Sequence, residues 1–302
     1  MTHNSETTLA GITARIRAIG RKLDAETLAE SQRLYAPLHA SEPASGVLVE
    51  NDHPYGPDER HRLDVFRPDR PGARRPALLF VHGGGFVGGD KRRPGSPFNQ
   101  HVGIWAARQG LVGVNMTYRL APAHPWPAGP QDVGAAIRWI RNHANDLDVD
   151  PARVFVFGQS AGAAHVAAYI GHRQFHGAGG HGLAGGLLLS GVYDLVANDP
   201  RTVAVGYYGD DPARFAERSA LPGIADAGVP LWVGVAELDP SRFERQALLL
   251  AGALLDSRRH LPRFVQLAGH NHLSGLLHLG LPGDVLGPEI LRFLMECEPP
   301  SD

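Results

Sequence analysis

Apolar positions recur along the chain with two different periods, and their alternation sets out the expected elements. In residues 8–36, Leu9, Ile12, Ile16 and Ile19 share one helical face and Leu23, Leu28 and Leu34 follow, which predicts a helix ahead of any strand. Ser41 to Gly46 is a turn-rich link. Two β-type runs, 47–49 and 63–66, flank the turn-forming His53-Pro54-Tyr55-Gly56-Pro57. A continuous apolar run from Pro76 to His82 and another over 111–116 have no polar alternation, which predicts strands buried on both faces. Helical spacing returns over 132–145 through Val133, Ile137, Trp139 and Ile140. A strand at 154–157 runs into a small-residue helix at 161–171. Three more strands are expected at 183–190, 230–235 and 264–267, and helices at 242–255 and 288–295. The glycine-rich stretch 177–186 reads as a loop, and Asn198-Asp199-Pro200 as a turn.

Strands alternating with helices predict an α/β fold: a mostly parallel central sheet with helices on both faces. The helix ahead of the strands adds an N-terminal helical cap or lid. The expected division is 1–45 for this cap and 46–302 for one catalytic domain.

Composition narrows the function. A net charge of −2 with interspersed charges offers no electrostatic footprint for nucleic acid. No apolar run reaches membrane-spanning length. The opening Met-Thr-His-Asn-Ser-Glu lacks the apolar core of a signal peptide, and the single cysteine, Cys297, excludes an internal disulfide framework. A cytoplasmic protein acting on a small molecule is expected, with a homodimer left open.

The junction at 154–166 carries the chemistry. Gly158-Gln159-Ser160-Ala161-Gly162 matches G-x-S-x-G between a strand and a helix. A sharp strand-to-helix turn projects Ser160 into a site while the new helix aims free N–H groups at it. Glycines are needed on both sides because a Cβ there would meet the neighbouring strand and helix. Ser160 is the expected nucleophile. Upstream, Val81-His82-Gly83-Gly84-Gly85-Phe86 follows a buried strand, and its glycines let backbone N–H groups approach a ligand closely. Gly84, Gly85 and Ala161 are assigned to an oxyanion hole, with His82 bracing the loop. No G-x-x-x-x-G-K-[ST] follows, so a phosphate cradle is disfavoured.

A serine nucleophile needs a base, and the base needs an acid to orient it. Asp239, just past the 230–235 strand, is the favoured acid; Glu237 is its rival, and Asp239 as a helix N-cap is the plain structural alternative. His270 and His272 compete for the base. His172, His176 and His181 are too loosely spaced, in a glycine loop, to predict a metal site, and no cofactor is required.

These paired motifs resemble the α/β-hydrolase-fold serine esterases of the hormone-sensitive-lipase-like group. Tyr118-Arg119-Leu120-Ala121-Pro122 and His124-Pro125-Trp126-Pro127-Ala128 are similar to that group's stretch between oxyanion loop and nucleophile. The chain is also similar to the kynurenine formamidase (arylformamidase) branch, through Gly-x-Ser-Ala-Gly-Ala at 158–163, Leu188 to Leu195, and Glu237-Leu238-Asp239 followed by Phe243-Glu244-Arg245-Gln246. Gln159 and Gly85 depart from the usual residues of the two groups. The resemblance implies the chain order Ser160, Asp239, His; and His272-Leu273-Ser274 fits the formamidase histidine, so His272 is preferred with His270 as the alternative base. It implies hydrolysis of small, short-acyl carboxylic esters through an acyl-enzyme. The alternatives are arylformamide hydrolysis and a non-catalytic receptor on the same fold.

Overall fold

A computed structural model describes residues 8–40, 44–70, 72–198 and 204–297. Parts of two predicted turns, 41–43 and Asp199-Pro200, lie outside them.

The chain opens with two helices where the periodicity predicted one: α1 (Leu9–Ile19) and α2 (Ala25–Ala40). Gly20, with φ 68°, ends the first, and the Asp24 carboxylate starts the second by accepting from the Thr27 N–H at 2.8 Å. The apolar face thus runs on across a break that periodicity alone does not reveal. Eight strands follow: β1 (Val47–Pro54), β2 (Arg62–Pro68), β3 (Arg75–Val81), β4 (Val112–Met116), β5 (Val149–Gln159), β6 (Gly185–Leu189), β7 (Leu231–Leu238) and β8 (Arg263–Asn271). They form one sheet in the order β1-β2-β4-β3-β5-β6-β7-β8. The β1–β2 and β2–β4 pairs are antiparallel and all others parallel, so the mostly parallel sheet is observed.

Period-two alternation divides the central strands between two cores. Ala77, Leu79, Val81, Val154, Val156, Leu188, Val233 and Val235 face one layer. That layer comprises α4 (Ala128–Asn142), α5 (Ala161–Gly171), α8 (Leu221–Asp226) and α9 (Ser241–Arg258). Leu78, Phe80, Phe155, Phe157, Leu187 and Trp232 face α3 (Gln100–Arg108) and α11 (Leu286–Glu296). Each buried Val, Leu or Phe among them contributes roughly 1.5–3 kcal/mol relative to exposure. Short α-helices among the described residues are α6 (Val205–Tyr208), α7 (Phe215–Arg218) and α10 (Ser274–Leu277).

Helix α3 has no counterpart in the periodicity. His101, Val102, Gly103, Trp105, Ala106 and Ala107 are all buried, so it has almost no polar face to create a period. Its Gly103 lies directly on the sheet: a Cβ built on Gly113 of β4 would stand 2.6 Å from the Gly103 carbonyl oxygen and 2.8 Å from its Cα. Backbone cannot yield as a side chain can. Gly113→Ala is expected to lower the unfolding free energy by about 1–3 kcal/mol in urea titration.

Candidate active site

The parallel strands deliver four loops to the carboxyl edge of the sheet, where ligands of open α/β sheets gather. At the end of β5 the chain turns through Ser160 straight into α5, and Ser160 takes φ 56° and ψ −119°. A non-glycine residue there costs about 1–3 kcal/mol, so the surroundings must impose it. The Ser160 N–H donates to the Leu189 carbonyl of β6 at 2.9 Å. The flanking glycines let the turn close: a Cβ on Gly158 would lie 2.5 Å from the Gly162 carbonyl oxygen, and one on Gly162 would lie 2.0 Å from that of Val81.

Ser160, His272 and Asp239 stand on one hydrogen-bonded line. Ser160 Oγ is 2.9 Å from His272 Nε2, and His272 Nδ1 is 2.6 Å from Asp239 Oδ1. An ionised carboxylate can only accept, so Nδ1 carries the proton and Nε2 is free to accept from the serine hydroxyl. Asp239 is fully buried and its other oxygen accepts from Ser190 Oγ at 2.6 Å and the Ala236 N–H at 2.7 Å. It is no helix cap: Pro240 occupies that position before α9. The Phe243 ring stacks on His272 at 4.2 Å between centroids. Gln159, buried beside the serine, donates from Nε2 to the His272 carbonyl at 3.0 Å.

The rivals are occupied elsewhere. Glu237 pairs with Arg17 of α1 at 3.2 Å and accepts from the Gly269 N–H at 2.6 Å, the bond that chiefly holds its carboxyl below the usual range. His270 turns toward Ser274 Oγ at 3.0 Å, and burial lowers its pKa to about 4. His176 Nε2 donates to the Tyr169 carbonyl at 2.8 Å and His181 Nδ1 accepts from the Leu183 N–H at 3.0 Å, so both rings serve the local fold.

The glycine loop after β3 closes the other side. Gly84 has φ 139° and Gly85 φ 61°, and a Cβ on Gly83 would lie 3.2 Å from Ser160 Cβ. Among the described residues no hydrogen bond takes up the N–H of Gly84, Gly85 or Ala161. That of Ala161 is free because the first N–H groups of a helix have no partner within it. His82 anchors the loop: its Nδ1 donates to the Gly83 carbonyl at 2.7 Å, and its own carbonyl accepts from Tyr118 Oη at 2.9 Å. Its ring stacks on Tyr118 at 4.3 Å, and full burial lowers its pKa to about 4.

Ser160, His272 and Gly83 to Phe86 line one cleft of about 430 Å³. Leu23, Asp24, Ala25, Leu28 and Gln32, from the α1–α2 turn and α2, form part of its wall. This geometry suits acyl transfer: an activated hydroxyl, an oriented base, and free N–H groups where an oxyanion would form. Residues 78–225 match a family described as alpha/beta hydrolase fold. The fold is the α/β-hydrolase fold.

Other proteins resemble it at different levels. Esterase LipQ of Mycobacterium tuberculosis is 29% identical over 246 residues, 75% of this chain and 57% of that protein. Esterase LipI of the same organism is 41% identical over 106 residues, 35% of this chain and 31% of that protein. The matches thus span less than two thirds of these relatives' length. Among solved structures, esterase B from Lactobacillus Rhamnosis superposes with a TM-score of 0.71 at 18% identity, covering 95% of each chain. A hyperthermophilic esterase from the archeon Pyrobaculum calidifontis superposes at 0.67 and 24% identity, covering 96% of this chain and 95% of that one. At these identities the likeness is one of fold.

Ser190, Gln159 and Phe243 were not singled out for any role in the sequence. Each acts through a contact made between distant segments; only the position of Ser190 at a strand end and of Gln159 beside the serine hinted at the site.

Four buried histidines couple this architecture to pH. Burial lowers the pKa of His82 and His270 to about 4 and of His101 and His165 to about 3, against an ordinary 6.5. The unfolded chain takes up these protons below about 6.5 while the folded chain does not until about 4 or lower, so their contribution is intact above 6.5 and is lost as pH falls. Urea midpoints are expected to drop between pH 7 and pH 5, by at least about 1 kcal/mol in unfolding free energy.

Proposed function

We propose that this chain is a serine carboxylesterase that hydrolyses small, short-acyl esters through an acyl-enzyme. The observation that carries the proposal is the line from Ser160 Oγ through His272 to the buried Asp239, at 2.9 and 2.6 Å, beside a loop with free N–H groups. The relatives named as esterases favour ester over arylformamide hydrolysis.

Ser160 Oγ attacks the ester carbonyl as His272 Nε2 takes its proton, and Asp239 stabilises the imidazolium. The N–H groups of Gly84, Gly85 and Ala161 receive the oxyanion; losing one such donor costs about 3 kcal/mol of barrier. The imidazolium protonates the departing alkoxide, the acyl group stays on Ser160, and a water activated by the same histidine releases the acid. The cap expected over 1–45 acts through α1, α2 and the turn between them: Leu23 and Leu28 line the cleft, while Ile12, Ile16 and Ile19 pack with Leu34 and Tyr35 against Leu277 and Leu281. The single cysteine, Cys297, is in keeping with a reducing compartment, the cytoplasm.

On p-nitrophenyl butyrate, Ser160→Ala and His272→Ala are each expected to lower kcat by roughly 10,000-fold or more with unchanged circular dichroism. His270→Ala should cost less than about tenfold, since its ring does not reach the serine. Retained turnover in Ser160→Ala would overturn the mechanism, and a reversed order of the two histidine variants would transfer the role of base. For the cap, Leu28→Ala should widen the acyl-length preference across butyrate, hexanoate and octanoate esters. An unchanged profile would remove α2 from substrate selection.

A further inference from the structure

Helix α9 begins directly after the acid loop, and its second residue, Arg242, lines the cleft with Ser160 and His272. Arg242 is half-buried, yet among the described residues no hydrogen bond or ion pair takes up its guanidinium. Other half-buried arginines differ: Arg92 holds Asp52 and Asp64, Arg119 holds Asp132, Arg263 holds Glu289, and Arg258 holds the carbonyls of Ile224, Ala225 and Val229. Its guanidinium lies over the Phe243 ring, whose centroid is 4.7 Å from Arg242 Cζ.

The reason is visible nearby. The acids that might have neutralised Arg242 are already taken: Glu244 pairs with Arg21 at 2.7 Å, Glu237 pairs with Arg17, and Asp239 is turned inward to His272. Asp24, the acid on the opposite wall, is committed to capping α2. Arg93, on the loop after the oxyanion glycines, also lines the cleft, and among the described residues no ion pair engages it. Five N–H donors partly withdrawn from water and left without an acceptor are costly, and a planar guanidinium matches a carboxylate through two parallel bonds. Burial lowers the Arg242 pKa, in keeping with a charge that has no permanent partner.

We infer that the cleft selects esters carrying a carboxylate, which pairs with Arg242 while Arg93 attracts it at the rim. This rests on the esterase reading and adds the charge of its substrate. A single half-buried guanidinium balances one charge, which favours a carboxylate over a phosphate dianion. Arg242 is a specificity-determining residue with no part in proton transfer. The rival role is bracing alone, in which Arg242 does no more than hold Phe243 against His272.

The test compares kcat/KM on three butyrate-sized esters: neutral p-nitrophenyl butyrate, p-nitrophenyl hydrogen succinate with the charge on the acyl side, and p-carboxyphenyl butyrate with the charge on the leaving side. Wild-type protein, Arg242→Gln and Arg242→Lys are measured. Arg242→Gln is expected to lose about tenfold or more on one charged ester beyond its loss on the neutral one, since a charge-assisted bond is at stake. Arg242→Lys should recover part of that loss, and wild-type turnover of the same ester should weaken with added salt. The charged ester affected tells which side of the scissile bond faces Arg242. Equal losses on all three esters would overturn the anion site in favour of bracing and leave the esterase reading standing. Wild-type silence on all three would overturn the esterase reading, and the inference with it.

Discussion

The unfavourable backbone at Ser160 is the constraint around which the rest is arranged. A serine with positive φ persists only where its neighbours permit no alternative. Here β5 is clamped between β3 and β6, the Ser160 N–H is tied to Leu189, and two glycines let strand, turn and helix approach within ordinary contact. The small residues of α5 serve the same end, since Ala163, Val166 and Ala167 sit tightly on the sheet beneath the turn. The two cores above and below the strands thus hold the position of a single hydroxyl.

Around that hydroxyl, separate segments converge because they leave neighbouring parallel strands at the same edge. Asp239 follows β7, His272 follows β8, and the glycine loop follows β3. Short polar contacts then lock them together. Ser190, itself in a left-handed conformation at the end of β6, donates to Asp239; Gln159 binds the histidine loop; Tyr118 holds the carbonyl of His82. The contacting atoms of Ser190, Gln159 and Tyr118 each have a partner, so each contact restricts geometry.

Charge is laid out by the N-terminal helices as much as by the core. Arg17 on α1 and Arg21 in the turn after it engage Glu237 and Glu244, on either side of the acid loop, and Arg21 also reaches the Asp239 carbonyl. These exposed pairs contribute little stability individually. Their consequence is local: they consume the nearby carboxylates, leave Arg242 uncompensated, and place Leu23 and Leu28 on the wall of the cleft.

Local patterning determined a good deal. The eight strands, the burial of central ones on both faces and the strand–serine–helix junction were legible because unbroken apolar runs and glycine-flanked turns are properties of short segments. Most strand ends were not: β5 begins at Val149 and β8 runs on to Asn271, extended by pairing with neighbours. Helix α3 was missed because it is buried nearly all round, and the break between α1 and α2 because the apolar face continues across it. Asp239 and His272 were favoured from their places after predicted strands and from family resemblance. Their separation from Glu237 and His270 is a matter of side-chain direction at the sheet edge. One residue of a pair points inward and its near neighbour toward a different partner, and that choice is made only when β6, β7, β8 and α1 pack together.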